Sequence, residues 1–197
     1  MLRVGLTGGI GCGKTTVSLL FSRFDIPIID ADDISHSLVT RGSPALQDIQ
    51  NTFGKDVLLE NGELNRPVLK TKIFSNSEQK KRLEAILHPR IFQEISIQLQ
   101  SFSAPYCIVS IPLLFETESQ ALVNRILVVD CDIKTQIERV QKRDNLSIEC
   151  IQAIISHQVS AEFRKANADD ILDNSQNNAA LAEQIKKLHN FYLSLSC

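Results

Sequence analysis

An α/β fold with a parallel five-stranded sheet and helices on both faces is predicted by three features of this sequence. Short apolar runs recur along the chain, each bounded by glycine, proline or polar residues. Helical periodicities separate these runs, so successive strands are joined by crossovers rather than hairpins. Aromatic residues are few and Trp is absent, so aliphatic side chains are expected to fill the core, as in sheets buried on both faces.

The elements follow in order. Leu2 to Thr7 is an apolar strand that runs into glycines. From Lys14 the period becomes helical, with Val17, Leu20, Phe21 and Phe24 on one face. Ile26 to Asp30 reads as a second strand with Pro27 near its start. A helix is expected from about Asp33 to Val39. Ser43-Pro44 is an N-cap and first-turn proline opening another helix that stops near Gly54. Asn61-Gly62 marks a turn.

The stretch from Arg66 to Ser101 is polar and helical, with Leu83, Leu87, Ile91, Ile95 and Leu99 forming a stripe that Pro89 should kink or restart. Tyr106–Ile111 and Arg125–Asp130 are two further buried strands. Helical segments are expected at 132–143 and 147–166, with Ile133, Ile137 and Val140 facing the core. A short last strand at Asp170–Asp173 and a closing helix marked by Leu181, Ile185, Leu188 and Tyr192 complete the pattern. The helical run interrupts the strand–helix alternation. It is therefore expected to be an inserted subdomain, 61–101, within a core formed by 1–60 and 102–197.

Composition narrows the function. A net charge of −2 over 197 residues gives no reason to expect nucleic acid or a membrane surface as partner. No apolar run approaches the ~20 residues of a membrane span, and the N-terminus opens directly on a strand, so a cytoplasmic location is expected. The five cysteines, Cys12, Cys107, Cys131, Cys150 and Cys197, show no C-x-x-C pair. They read as free thiols rather than a zinc site.

The strongest chemical signal is Gly8-Gly9-Ile10-Gly11-Cys12-Gly13-Lys14-Thr15, which fits G-x-x-x-x-G-K-[ST] between a strand and a helix. A loop wrapping a phosphate must turn its backbone N–H groups inward, through conformations that glycine adopts cheaply. The following helix adds its positive end. Gly9, Gly11, Cys12, Gly13, Lys14, Thr15 and Thr16 form the expected nucleotide cradle. Lys14 would reach the β- and γ-phosphates, and the Thr15 hydroxyl would ligate Mg²⁺. Cys12 is either a reactive thiol at a helix N-terminus or a small tolerated side chain.

Asp30, Asp32 and Asp33 follow the second strand, at the sheet edge where such folds bind ligands. One can orient an acceptor hydroxyl and take its proton, and another can cap the next helix. Asp32 is assigned the first role and Asp33 the second. Asp130 ends its apolar strand as a Walker B carboxylate does; a water-mediated Mg²⁺ role competes there with capping of the next helix by Asp130 or Asp132, and capping is the expectation. On that helix Arg139 and Arg143 stand one turn apart. Spacing leaves two readings open: a guanidinium clamp on a triphosphate, or a solvated face paired with Glu138, Lys142 and Asp144.

Several segments together resemble the dephospho-CoA kinase family, in order over nearly the whole chain. They are Gly5 to Thr15, Ile29-Asp30-Ala31-Asp32, Gly62-x-Leu64-x-Arg66, Leu87-His88-Pro89, Ile111-Pro112-Leu113-Leu114-Phe115-Glu116, Gln141-Lys142-Arg143-Asp144 and Asp170-Ile171-Leu172-Asp173-Asn174. Cys12 and Thr15 stand where the family usually has serines, and Thr15 keeps the hydroxyl. Arg41 and Pro67 are also less typical of the family.

The resemblance implies a P-loop kinase core, a helical acceptor-binding domain and a lid at about 140–166. It implies transfer of the ATP γ-phosphoryl to the ribose 3′-hydroxyl of dephospho-CoA, with Mg²⁺, ATP and dephospho-CoA as the partners. A monomer or weak homo-oligomer is the expected assembly. Asp32 then matches the catalytic carboxylate, Lys14, Arg139 and Arg143 the phosphate-facing cations, and Asn174 the segment near the adenine. Arg66 and His88 fall in the acceptor-binding domain. A surface turn charge and a first-turn residue are the bland alternatives for those two.

Other classes fit less well. A GTPase switch would show Asn-Lys-x-Asp and a second-strand Asp-x-x-Gly, both absent. A nucleoside or shikimate kinase shares the core physics. A non-catalytic nucleotide sensor would not need Lys14, Thr15 and Asp32 together.

Overall fold

The computed structural model describes residues 1–74, 76–175 and 178–196. Cys197, one of the expected free thiols, lies outside them. In chain order the elements are β1 (Leu2–Gly8), α1 (Lys14–Ser22), β2 (Ile28–Asp30), α2 (Ala31–Leu38), α3 (Pro44–Phe53), α4 (Arg66–Phe74), α5 (Ser77–Ser101), β3 (Tyr106–Ser110), β4 (Arg125–Asp130), α6 (Ile133–Asp144), α7 (Ile148–Ser156), α8 (Ala161–Ala166), β5 (Asp170–Asp173) and α9 (Asn178–Leu195). Short 3₁₀ turns at Lys55–Val57 and Ser119–Leu122 carry no periodic signal and were not foreseen from sequence.

Backbone packing divides the chain into two compact units, Met1–Asp30 with Phe102–Cys197, and Ala31–Ser101. Residues 31–60, expected with the core, thus fall in the second unit. There Val39, Ile49, Phe53 and Val57 bury themselves with Leu69 against half-buried Leu83 and Leu87.

In the first unit all five strands run parallel in the order β2-β3-β1-β4-β5. β1 is central, so its C-terminal end opens at the edge where such sheets bind ligands. Alternate residues of the sheet (Val4, Leu6, Tyr106, Ile108, Leu127, Val129 and Leu172) bury one face with Val17 and Phe21 of α1 and Leu181, Ile185 and Tyr192 of α9. The period of two is what a strand imposes. On the other face Gly5 is tightly covered: a Cβ there would lie 2.9 Å from Val123 and 3.0 Å from Leu114.

The core is less aliphatic than composition suggested. Phe21, Tyr106 and Tyr192 are its largest fully buried side chains. Phe21 meets Tyr106 edge-on and stacks with Tyr192, ring centroids 6.4 and 6.2 Å apart. Both hydroxyls find partners, Tyr106 with His189 Nδ1 at 2.7 Å and Tyr192 donating to Asp170 at 2.8 Å.

The second unit is helical. Ser43 caps α3, accepting from the Leu46 N–H at 3.2 Å, with Pro44 in the first turn and Gly54 at the C-cap. Gly62, at φ 81°, makes the turn between Leu58 and Leu64, which pair as an antiparallel bridge. Pro67 sits in the first turn of α4, where a missing N–H costs little.

Several expectations are corrected here. β2 starts at Ile28, because Pro27 has no N–H for the sheet; its carbonyl instead accepts from Ile108 at 3.0 Å. α2 starts at Ala31, so Asp33 lies inside the first turn and is not its cap. α5 continues through Pro89 without restarting. Arg90 helps there, donating to the Ile86 carbonyl one turn back at 2.6 Å and to Asp48. Only Ile95 of the α5 stripe is fully buried. The 147–166 helix is two helices, since Ser160 caps α8 anew. On α6 Ile133 is exposed, and Gln136 is buried with Val140.

Candidate active site

The loop from Gly8 to Thr15 turns through left-handed glycines between β1 and α1. Gly11 and Gly13 sit at φ 77° and 92°, in the left-handed region. Gly13 caps α1 with no side-chain hydrogen bond, so its residue type leaves the helix N-terminus open. Neighbours also demand glycine: a Cβ on Gly8 would lie 2.3 Å from the Val129 carbonyl oxygen, and one on Gly11 2.8 Å from that of Gln136. The Lys14 ammonium folds back over the loop and donates to the Gly8 carbonyl at 2.8 Å. Thr15 follows in the first turn of α1, exposed, with no hydrogen bond to its hydroxyl among the described residues. That is the state of a hydroxyl able to ligate a cation. Thr16 is likewise exposed in the first turn.

Three polar side chains from distant sequence hold the loop. Asn174, just past β5 and buried, donates its amide to the Cys12 carbonyl at 2.7 Å. Arg139 donates to the Asn174 carbonyl at 2.9 Å and reaches the Gly11 carbonyl at 3.5 Å. Gln158, between α7 and α8, accepts from the Ile10 N–H at 2.9 Å. Asn174 was expected by the adenine; its side chain braces the loop from behind.

The two arginines of α6 part company. Arg139 turns to the loop, whereas Arg143 donates twice to its neighbour Asp144 at 2.8 and 2.7 Å. Arg139 thus faces the phosphate loop, and Arg143 pairs with one of the acidic neighbours expected of a solvated face. Asp132 caps α6, accepting from the Thr135 N–H at 2.8 Å, and that N–H holds its carboxyl below the ordinary range. Asp130, at the end of β4, pairs with Lys165 of α8 at 2.7 Å.

Cys12 is buried, with its Sγ 3.4 Å from Cys131 Sγ. Spacing gave no sign of this pair, 119 positions apart. Donation from the Cys131 thiol lowers the Cys12 pKa to about 7; Lys14 and Arg164 act the same way and burial opposes them. The same contact, with burial, pushes Cys131 up.

Residues missed from sequence cluster on α8 and α6. Arg164 is 5% exposed and lies over Gly9, and Gln136 is 2% exposed beside it. The Ser160 cap and the break in the apolar stripe at His157-Gln158 were the available signals that a separate short helix sits here.

In the second unit Asp32 occupies the first turn of α2, two residues past the end of β2. Arg66 opens α4 and lines a cavity of about 250 Å³ with His36, Thr40, Arg41 and Glu63. His88 lies on α5 and stacks on Phe92, centroids 5.9 Å apart. It does not line that cavity.

Comparison with known proteins agrees with this geometry. The family model described as dephospho-CoA kinase matches residues 2–180. A dephospho-CoA kinase of Mannheimia succiniciproducens is 46% identical over 197 residues, covering 98% of this chain and 92% of that protein. The crystal structure of TT1252 from Thermus thermophilus superposes with a TM-score of 0.88 at 27% identity, covering 96% of each chain. Dephospho-CoA kinase from Campylobacter jejuni does so with a TM-score of 0.73 at 27% identity, covering 99% and 98%. With its phosphate loop, five-stranded parallel sheet and end-to-end likeness to these relatives, the chain belongs to the dephospho-CoA kinase family of ATP-dependent phosphotransferases.

Proposed function

We propose that this chain transfers the γ-phosphoryl of Mg-bound ATP to the ribose 3′-hydroxyl of dephospho-CoA, completing coenzyme A in the cytoplasm. The observation that carries this is the glycine loop with an open helix N-terminus, in a chain that the family model matches over residues 2–180. The remaining loop N–H groups and the α1 dipole would bind the phosphates, beside the Ile10 and Cys12 N–H groups that already donate to Gln158 and Gly9, and Lys14 is long enough to leave the Gly8 carbonyl for a phosphate oxygen. Thr15 fits a Mg²⁺ ligand because the residue is exposed and its hydroxyl has no hydrogen bond among the described residues. Mg²⁺, when bound, neutralises charge between the β- and γ-phosphates.

Asp32 receives the acceptor proton in this proposal. Its support is position: β2 ends at the sheet edge from which the phosphate loop leaves β1, and Asp32 follows two residues later. Arg139 and Asn174 hold the loop from α6 and the end of β5, and serve the bound nucleotide from there, Arg139 at the phosphates and Asn174 on the adenine side. Arg143, released from Asp144, is available to the phosphates when the 140–166 segment closes as a lid. Arg66 serves the acceptor through the cavity it lines with Arg41 and His36. His88 is assigned to shaping the acceptor domain.

The test is purified protein with Mg-ATP and a panel of dephospho-CoA, AMP, adenosine, shikimate and pantothenate, read by product mass. Phosphorylation of dephospho-CoA alone is expected. Preference for shikimate or a nucleoside would overturn the acceptor assignment and leave the kinase core standing.

A further inference from the structure

Arg164 is a cation buried at the phosphate loop without a carboxylate partner. It sits on α8, a helix of six residues, and is 5% exposed. Among the described residues one of its five N–H groups has a hydrogen-bond partner, Nη1 donating to the Val159 carbonyl at 2.6 Å. No Asp or Glu lies within ion-pair distance of it among the described residues. Its neighbour Lys165 takes the nearby Asp130 instead.

In this conformation the guanidinium, although within the 140–166 segment proposed above as a lid, is held by the start of its own helix. Val159 is anchored by its own N–H, which donates to Glu116 at 3.0 Å, and Ser160 caps α8 through the Phe163 N–H at 3.1 Å. Nη2 lies 3.0 Å from the point where a Cβ on Gly9 would stand. The buried Gln136 Oε1, which has no hydrogen-bond partner, lies 3.1 Å from the same point. Cys12 Sγ, 3.3 Å from that point, can itself carry negative charge, and Lys14 shares its influence. A buried guanidinium with no carboxylate is costly for a fold, and such a charge persists where a further anion completes it.

The anion's place follows from Lys14. Its ammonium rests on the Gly8 carbonyl, so two cations converge on the opening residues of the loop. In this motif the lysine serves the terminal phosphates. We infer that Arg164 is a catalytic residue of this kinase, donating from its free guanidinium N–H groups to the transferring phosphoryl group. A donor aimed at charge that develops during transfer is worth roughly 10²–10³ in rate. Arginine rather than lysine suits the place, because a planar fork can hold two phosphoryl oxygens at once.

This inference rests on the ATP-dependent function proposed above, and the test separates the two. Full-length wild type, Arg164→Met and Arg164→Lys are compared for kcat, KM for ATP, melting temperature without nucleotide, and the melting shifts given by Mg-ATP and Mg-ADP. Arg164→Met is expected to lose about 100-fold or more in kcat. Its nucleotide-free melting temperature should hold or rise, since a buried charge with no carboxylate is gone. The extra shift that wild type gains from Mg-ATP over Mg-ADP should disappear. Arg164→Lys should recover part of the rate.

A merely structural Arg164 would give the opposite pattern: lower melting without nucleotide, with the ATP-over-ADP difference intact. That result, or kcat within about threefold of wild type, overturns the inference. If Arg164→Met does not fold, a crystal of wild type with Mg-ADP and aluminium fluoride decides. An Arg164 nitrogen within hydrogen-bond distance of a fluoride supports the inference, and one turned away from it overturns it. If wild type neither binds ATP nor phosphorylates any acceptor, the proposed function falls as well.

Discussion

The side-chain amide of Asn174 donates to the Cys12 carbonyl at 2.7 Å, tying the end of β5 to the centre of the phosphate loop. Arg139 then donates to the Asn174 carbonyl, so loop, strand end and α6 form one hydrogen-bonded chain. A Cβ on Gly13 would lie 2.3 Å from the same amide nitrogen, which shows how closely Asn174 backs the loop.

Removing that amide should therefore loosen the cradle. Asn174→Ala is expected to cost about 1–3 kcal/mol of stability, the price of leaving a buried carbonyl unpaired. It should also raise the KM for ATP more than it lowers kcat. Asn174→Asp, which sets an acceptor against an acceptor, should be worse on both counts. Chemical denaturation and steady-state kinetics check this; an unchanged ATP KM in Asn174→Ala would show that the brace is not needed.

Asp32→Asn should lower kcat by roughly 10²–10⁴ while ATP affinity stays near wild type, because a carboxylate that takes a proton acts in the chemical step. Calorimetry with a non-hydrolysable analogue and single-turnover kinetics give the two numbers. Near-normal turnover would remove Asp32 from the mechanism.

The Cys12 thiol offers a pH signature. Its pKa is lowered from an ordinary 9.0 to about 7. A group lowered in the folded state adds stability that is complete above its ordinary value and is lost as pH falls through about 7. Phosphate beside the thiolate repels it, so bound ATP should move this midpoint upward. By linkage, ATP affinity should weaken as pH rises through 7. The difference in thiolate absorbance between wild type and Cys12→Ser, with and without Mg-ATP, measures both. Identical midpoints in the two conditions would separate the thiol from the phosphate site.

The carboxylate of Asp170 gathers Arg125 at 2.6 and 2.9 Å and the Tyr192 hydroxyl at 2.8 Å, joining β4, β5 and α9. The pair is largely buried, with side chains 24% and 12% exposed. Asp170→Ala, which strands the Arg125 charge, should cost roughly 3 kcal/mol. Tyr192→Phe should cost about 1 kcal/mol. Equal losses in a denaturant titration would mean that packing, not the ion pair, sets stability there.

Local chemistry made much of this legible in the sequence. The glycine loop, the Ser43-Pro44 cap and the Asn61-Gly62 turn are fixed by residue types at short spacing, and each is where the sequence put it. Long-range relationships were not legible. The Cys12–Cys131 contact joins residues far apart in the chain, and no spacing rule reaches across a parallel sheet. Gln136 and Arg164 break helical patterning because they are polar residues that the fold buries, and sequence periodicity treats such residues as solvent-facing. Ile133 shows the converse, an apolar residue left exposed where Gln136 turns its amide to the Cys131 carbonyl at 3.2 Å.

The reaction is defined by which oxygen receives the phosphoryl group. ATP carrying ¹⁸O in its γ-phosphoryl, incubated with the purified chain, Mg²⁺ and dephospho-CoA, should yield a product whose label sits in a phosphate monoester on the ribose 3′-oxygen, seen by ³¹P NMR and mass. Label appearing only in inorganic phosphate, or on another atom of the acceptor, would contradict the account.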